Sequence, residues 1–218
     1  MKFQITKETP LRRAFRSILK EFQVSLLHFR GTIKAHKFKK ETNLKLHIGC
    51  GAKLKEGWIN IDLNKKADIT LDLRRSLPFP NNSCSIIYSE HFLEHLECAH
   101  QVESFLEEAY RILKSGGIFS AGVPDTEWPL RAYLEKDSDY FKYAKEIWHP
   151  KWCVTRMEHI NFHFRQGEEH KFAYDFETLK YILEKSGFVQ VKLRNFDPSL
   201  DSKDSGLGTL YVDAIKPI

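Results

Sequence analysis

The sequence predicts an α/β fold built on a mostly parallel sheet, and three observations lead there. From Leu44 onward, short apolar runs closed by Gly, Asp or Asn alternate with helical or loop segments, the pattern of parallel strands joined by crossovers. The first of those runs passes directly into Gly49-x-Gly51, where missing side chains let the chain turn tightly and let a ligand approach the backbone. With 218 residues, 42% hydrophobic and 29% charged, the chain can bury one substantial core but is too short for two full domains.

The first element lies ahead of that alternation. Leu11, Phe15, Ile18, Phe22, Leu26 and Phe29 recur at spacings of three and four, with Arg12, Arg13, Arg16 and Lys20 between them, which predicts a basic amphipathic helix. Two uses are open to it: packing its apolar stripe on the main domain, or lying on an anionic membrane surface through residues 11–30. Residues 34–43 are a lysine-rich polar linker, so residues 1–43 form an appendage and 44–218 the main domain. Charge divides the same way. Residues 1–40 hold 11 of the 34 Lys and Arg but only Glu8 and Glu21 of the 29 acids, so of the net +5 these forty residues carry +9 and the rest −4. A nucleic-acid footprint would spread its bases over the folded body, so no nucleic-acid partner is expected.

Strands are expected at about 44–48, 59–62, 68–71, 85–88 and 117–122. A helix precedes the fifth, with Val102, Phe105, Leu106, Ala109, Ile112 and Leu113 on one face and a stop at Gly116-Gly117. A second amphipathic helix, FETLKYILEKSGF, ends at Gly187, and VQVKLRNF and TLYVDAIKPI then form an antiparallel pair at one sheet edge. Between the fifth strand and that second helix, residues 125–174 form an insertion rich in aromatic, His and Arg residues. No run of roughly 20 apolar residues suggests a membrane span, no secretory leader is evident, and the four cysteines are scattered singly. A cytoplasmic protein with reduced thiols is expected, the helix giving it a route to the inner face of the membrane.

Chemistry is expected at the strand ends. Asp62 closes INIDL, where a carboxylate can accept both hydroxyls of a ribose, only 13 residues after Gly49. Asp72 closes the third strand, as a second ligand-facing acid or a turn residue. The phrases LHIGCGAKLKEGWINIDL, LPFPNNSCSIIYSEHFLEHL and FLEEAYRILKSGGIFSAGVPD, spanning Leu44 to Asp125, resemble in content and order the class I S-adenosylmethionine-dependent methyltransferases, especially those of methyltransferase type 11. The resemblance implies a Rossmann-like, seven-stranded, mostly parallel sheet with an antiparallel C-terminal strand, and S-adenosylmethionine as cofactor. It implies that Gly49, Cys50 and Gly51 pass its amino-acid part, that Asp62 holds the ribose with Leu63 beside it in the cofactor site, that Asp72 and Leu73 face the adenine, and that Ser89 and Glu90 lie beside the methionine portion. His47 stands where the family often has an acid that contacts the cofactor's amino group, and Lys53 where it has a third glycine. Trp58 replaces the usual helix after the glycine loop, as a packing residue under it.

His91-Phe92-Leu93-Glu94-His95 also satisfies H-x-x-E-H, a zinc-binding signature. Its place after a buried strand, inside a phrase the methyltransferase resemblance already accounts for, favours a structural role for Glu94 and His95, and no metal is expected. Transfer to a hydroxyl calls for a base. His91 is the first candidate and His163 the second, because imidazole near its ordinary pKa suits proton abstraction. The insertion is expected to choose the acceptor through His149, Trp152, Arg156 and His159, rings and polar groups suiting a sugar and arginines a phosphate or carboxylate on it; the same aromatics could instead be the insertion's own core. Relatives of this subgroup are commonly associated with surface-polysaccharide synthesis, which points to O-methylation of a sugar or glycan precursor. A methyltransferase of another small molecule, and a catalytically silent binding module, are the alternatives.

Overall fold

The computed structural model describes residues 9–136 and 138–218, so the first eight residues of the expected appendage lie outside the described residues. Seven strands form one sheet: β1 (Leu44–Ile48), β2 (Ile59–Asp62), β3 (Ile69–Thr70), β4 (Cys84–Glu90), β5 (Leu113–Pro124), β6 (Val189–Arg194) and β7 (Thr209–Ile215), in the order β3-β2-β1-β4-β5-β7-β6. The first five run parallel, and β7 enters antiparallel between β5 and β6. Strand order reverses between β1 and β4, and a crevice beyond the carboxyl ends of these strands is where an open α/β sheet binds its ligand.

One face of the sheet is covered by α2 (His100–Ile112) and α6 (Phe176–Lys185). Val102, Phe105, Leu106, Ala109 and Ile112 of α2, with Leu179, Ile182 and Leu183 of α6, are buried in the main core as the 3.6-residue period requires. Leu113, expected on the helix, is already the first residue of β5, which bends at Gly116 (φ 73°). The opposite face has no helix between β1 and β2. A polar network roofs it instead, in which Tyr88 donates to Asp201 (3.0 Å) and Asp201 accepts two bonds of 2.6 Å from Arg194. Trp58 packs as expected but not beneath the glycine loop: its ring lies edge-on to Tyr88, at the amino end of β2.

The N-terminal helix, α1 (Pro10–Ala35), is longer than expected and absorbs the start of the linker, followed by a 3-10 turn at His36–Phe38. Thr9 caps it and Pro10 opens it. Its docking corrects the expectation of an apolar stripe packed on the domain. Val24, Gly31 and Ala35 face inward, while Leu11, Phe15, Ile18, Phe22 and Phe29 are each at least 62% exposed. Gly31 permits the approach, since a Cβ there would stand 2.0 Å from the Thr70 carbonyl oxygen of β3. Among the described residues no helix is long and apolar enough to cross a membrane.

The insertion is a helical unit of α3 (Glu127–Glu135), α4 (Ser138–Tyr143), a π-helical turn (Ala144–Trp148) and α5 (Arg156–Arg165). Ala132, Tyr140 and Ala144, ringed by Trp128, Phe141, Trp148 and Ile160, form a core separate from that of the sheet. A bridge between Asp125 and Tyr174, with Thr126 donating to the Tyr174 carbonyl (2.7 Å), closes its base.

Candidate active site

Two spaces meet at the carboxyl ends of the strands. The first, a cleft of about 170 Å³, has Asp62, Leu63, Asp72, Leu73, Phe92 and Leu96 in its walls. The glycine loop beside it is set by backbone geometry. Gly49 and Gly51 both have positive φ (65° and 55°), a region that side chains disfavour. A Cβ at Gly49 would strike Phe92 at 2.7 Å, whereas one at Gly51 would meet nothing within 4 Å, so the loop presents bare backbone to open space. Asp62 binds the loop to β2, its Oδ2 accepting from Gly51 N–H (2.8 Å) and its Oδ1 from Asn64 N–H (2.7 Å). A carboxylate has roughly four lone-pair positions, so two remain for a ligand's hydroxyls.

Asp72 is more heavily engaged. Its carboxylate is buried against Arg74 (2.8 Å) and Arg75 (3.2 Å), which hold its pKa below the usual range despite burial. Its backbone N–H donates to His28 of α1 (3.3 Å), and Arg74 continues to Glu21 (2.9 Å). The side chain thus ties α1 to the end of β3, and the cleft is left the apolar walls of Leu63, Leu73 and Leu96. Glu90 is likewise committed, accepting from Tyr211 (3.0 Å) and Ser202 (3.1 Å). Ser89 is fully buried and its Oγ has no partner among the described residues. Cys50 is buried with its thiol pushed up to about 12, so it packs the loop as a neutral side chain. His47 Nδ1–H donates to the Asn60 amide oxygen (3.1 Å), and burial pulls its pKa down to about 4.

The second space, a cavity of about 220 Å³, lies between the insertion, the residue after β4 and the loop before β7. His91, His149, His163, Trp148, Asp204 and Thr209 are in its lining. His91 adopts positive φ (53°), with its N–H bonded to the Gly122 carbonyl (2.8 Å), a strained conformation that the surrounding strands fix. Its Nε2 is 3.0 Å from Thr209 Oγ1 and its Nδ1 3.4 Å from the buried carboxylate of Glu94. Burial, reinforced by neighbouring histidines, lowers His149 and His163 to about 4, so both are neutral hydrogen-bonding groups near pH 7.

Of the four acceptor candidates from the insertion, only His149 reaches this cavity. His159 is buried behind it, with ring nitrogens 3.0 Å apart. Trp152 is 54% exposed and packs on Phe162, and Arg156 lies over the Phe141 ring on the outside. Arg131 and Arg165 are exposed too, so none of the arginines enters the cavity as an anion-binding group. The sequence reading missed Asp204, Ser205, Gly208 and Thr209. They occupy a turn-rich loop that reads as an ordinary strand connection, and only the antiparallel return of β7 carries it to the cavity rim.

A family model described as a methyltransferase domain matches residues 60–121, from β2 through most of β5. That segment includes Asp62, Asp72, Ser89 and Glu90 on the strand order just described. Over that segment the chain is similar to a methyltransferase domain. The chain is similar in fold to a SAM-dependent methyltransferase from Archaeoglobus fulgidus, at 19% identity and TM-score 0.51, over 86% of this chain and 94% of that one. It is also similar to a SAM-dependent methyltransferase from Methanosarcina mazei, at 16% identity and TM-score 0.51, over 84% and 96% of the two chains. No curated protein matches it. The cleft fits S-adenosylmethionine, on which those two proteins depend. Bare backbone at Gly51, spare acceptor capacity on Asp62, apolar walls and an orphaned buried hydroxyl at Ser89 are what its glycine-loop, ribose, adenine and methionine portions respectively call for. Its bound sulfonium supplies a methyl group already activated for displacement.

Proposed function

We propose that the methyltransferase methylates a hydroxyl of a sugar or glycan precursor for surface polysaccharide. The observation that carries this reading is the character of the second cavity. Neutral imidazoles, a hydroxyl, an acid and an indole ring line it, and His91 and Phe92, adjacent in sequence, belong one to each space. Polar groups with an aromatic wall suit a polyhydroxylated ring, and the external arginines favour a neutral portion of the acceptor inside. His91 is the base in this reading. Glu94 beside Nδ1 favours the tautomer with the proton there, so Nε2 accepts from the Thr209 hydroxyl until the acceptor's hydroxyl takes that place and gives up its proton to Nε2. Alignment of acceptor and methyl supplies the remaining rate enhancement.

The exposed stripe of α1 belongs to the same proposal. Basic residues border large exposed apolar side chains, a composition suited to an anionic membrane surface on which lipid-linked precursors are carried. Calorimetric titration with S-adenosylhomocysteine, followed by a methylation screen of nucleotide sugars, lipid-linked sugars and non-sugar alcohols, tests the reading. Turnover confined to the sugars supports it; turnover only with non-sugar acceptors replaces it.

A further inference from the structure

The H-x-x-E-H run holds more donors than the His91–Glu94 pair invoked above. Glu94 is 1% exposed, and neither of its carboxylate oxygens has a hydrogen-bond partner among the described residues. His91 Nδ1 stands 3.4 Å from one of those oxygens, a single contact too long to satisfy the group, and a buried carboxylate so poorly served is unfavourable unless a cation compensates it. The fold brings His170, from the far end of the insertion, to this position. The backbone carbonyl of Glu94 accepts from Lys171 N–H (2.7 Å) and Phe172 N–H (3.3 Å), which sets His170 against His95 with ring centroids 5.2 Å apart. One ligand atom from each of Glu94, His95 and His170 lies within 4.8 Å of the others.

The remaining ring nitrogens are already positioned. His95 Nδ1 is 3.1 Å from the Glu169 carbonyl, and His170 Nδ1 is 3.1 Å from the His163 carbonyl. Each Nδ1 therefore carries the proton and donates, leaving both Nε2 lone pairs available, as backbone carbonyls do for metal-ligating histidines. His163, whose Nε2 is buried without a partner, shares a small cavity with Glu94 and His170.

We infer that Glu94, His95 and His170 form a binding site for a divalent ion of the zinc class, joining the loop after β4 to the insertion. Two neutral imidazoles and one carboxylate are a donor set suited to such an ion at about 2.0–2.2 Å, with a further position open. The ion neutralises Glu94 and pins the end of the insertion beside His91. The inference rests on these donors alone and holds for any acceptor.

The test uses the full chain without a histidine tag, stripped with chelator and titrated with Co2+ and Zn2+. Expected are saturable, stoichiometric binding, cobalt d–d absorption without a thiolate charge-transfer band, and a Tm that rises with metal. Glu94→Gln and His170→Gln should each weaken Co2+ binding by more than the roughly 10- to 100-fold that loss of an outer-shell partner costs. Absence of saturable binding by the folded wild type overturns the inference. A thiolate band also overturns it, because it places the ion at the separate cluster of His149, Cys153 and His159. Retained affinity in both variants does the same. The wild-type spectrum decides the matter even if a variant fails to fold, and S-adenosylhomocysteine binding separately reports the methyltransferase reading.

Discussion

The cleft at Asp62 and the cavity at His91 sit side by side but are built by different means. The cleft is shaped mainly by backbone: two positive-φ glycines, one carboxylate bridging the glycine loop to β2, and strand ends held in register by the sheet. The cavity is shaped by side chains from the insertion, the residue after β4 and the loop before β7, and the insertion owns a separate aromatic core. A site made of backbone is tied to the fold, whereas a cavity made of side chains on an inserted unit can change its specificity while the sheet stays intact.

The largest expected effect falls on the cleft. Asp62→Ala should weaken S-adenosylhomocysteine binding at least about 100-fold by calorimetry, the scale of two hydrogen bonds to a charged group. Retained affinity would remove Asp62 from the ribose site. Tyr140→Ala attacks the other half: emptying the insertion's core should cost about 3–5 kcal/mol of its stability in thermal denaturation while leaving S-adenosylhomocysteine affinity unchanged. A matching loss of cofactor affinity would show that the two halves fold as one.

What was legible in the sequence follows the same division. Gly49, Gly51 and Asp62 announce themselves because few residue types suit a tight turn and a ligand-facing strand end, and their local order survives into the fold. Helices α2 and α6 were legible from periodicity. Periodicity misled at α1, because its apolar stripe marks the face left outside, while the docked face is marked by one glycine. Trp152 and Arg156 illustrate the limit in the insertion: composition named the segment, but only its three-dimensional packing separates cavity residues from exterior ones.

A smaller effect should appear with acid. His47, buried beside the cleft, has its pKa lowered to about 4, chiefly by burial and further by Lys55, against the opposing influence of Asn60, Glu90 and Asp62. The unfolded chain then binds more protons than the native one between pH 6.5 and 4. Stability contributed by neutral His47 is present above pH 6.5 and lost as pH falls through that window, by at most about 3 kcal/mol. Denaturant midpoints measured across the window should fall less steeply for His47→Gln. An equal slope would assign the acid sensitivity to the cavity histidines instead.

The smallest effect on stability, within about 0.5 kcal/mol, is expected for Phe15→Ser combined with Phe22→Ser, which touches neither half of the site. Co-sedimentation with anionic vesicles should nevertheless be lost. Equal sedimentation of variant and wild type would leave α1 a purely structural element.

The close seating of Gly31 on Thr70 has a consequence for self-association. β3 is a two-residue strand at one margin of the sheet, and an uncovered margin invites another molecule to add a strand. α1 lies against it, and at the opposite margin β6 is broken in register between Val189 and Lys192, with Gln190 at φ 53°. Both margins are thereby blunted, one by a helix and the other by a bulge, which allows a seven-stranded sheet to remain a discrete molecule and not a template for fibre growth.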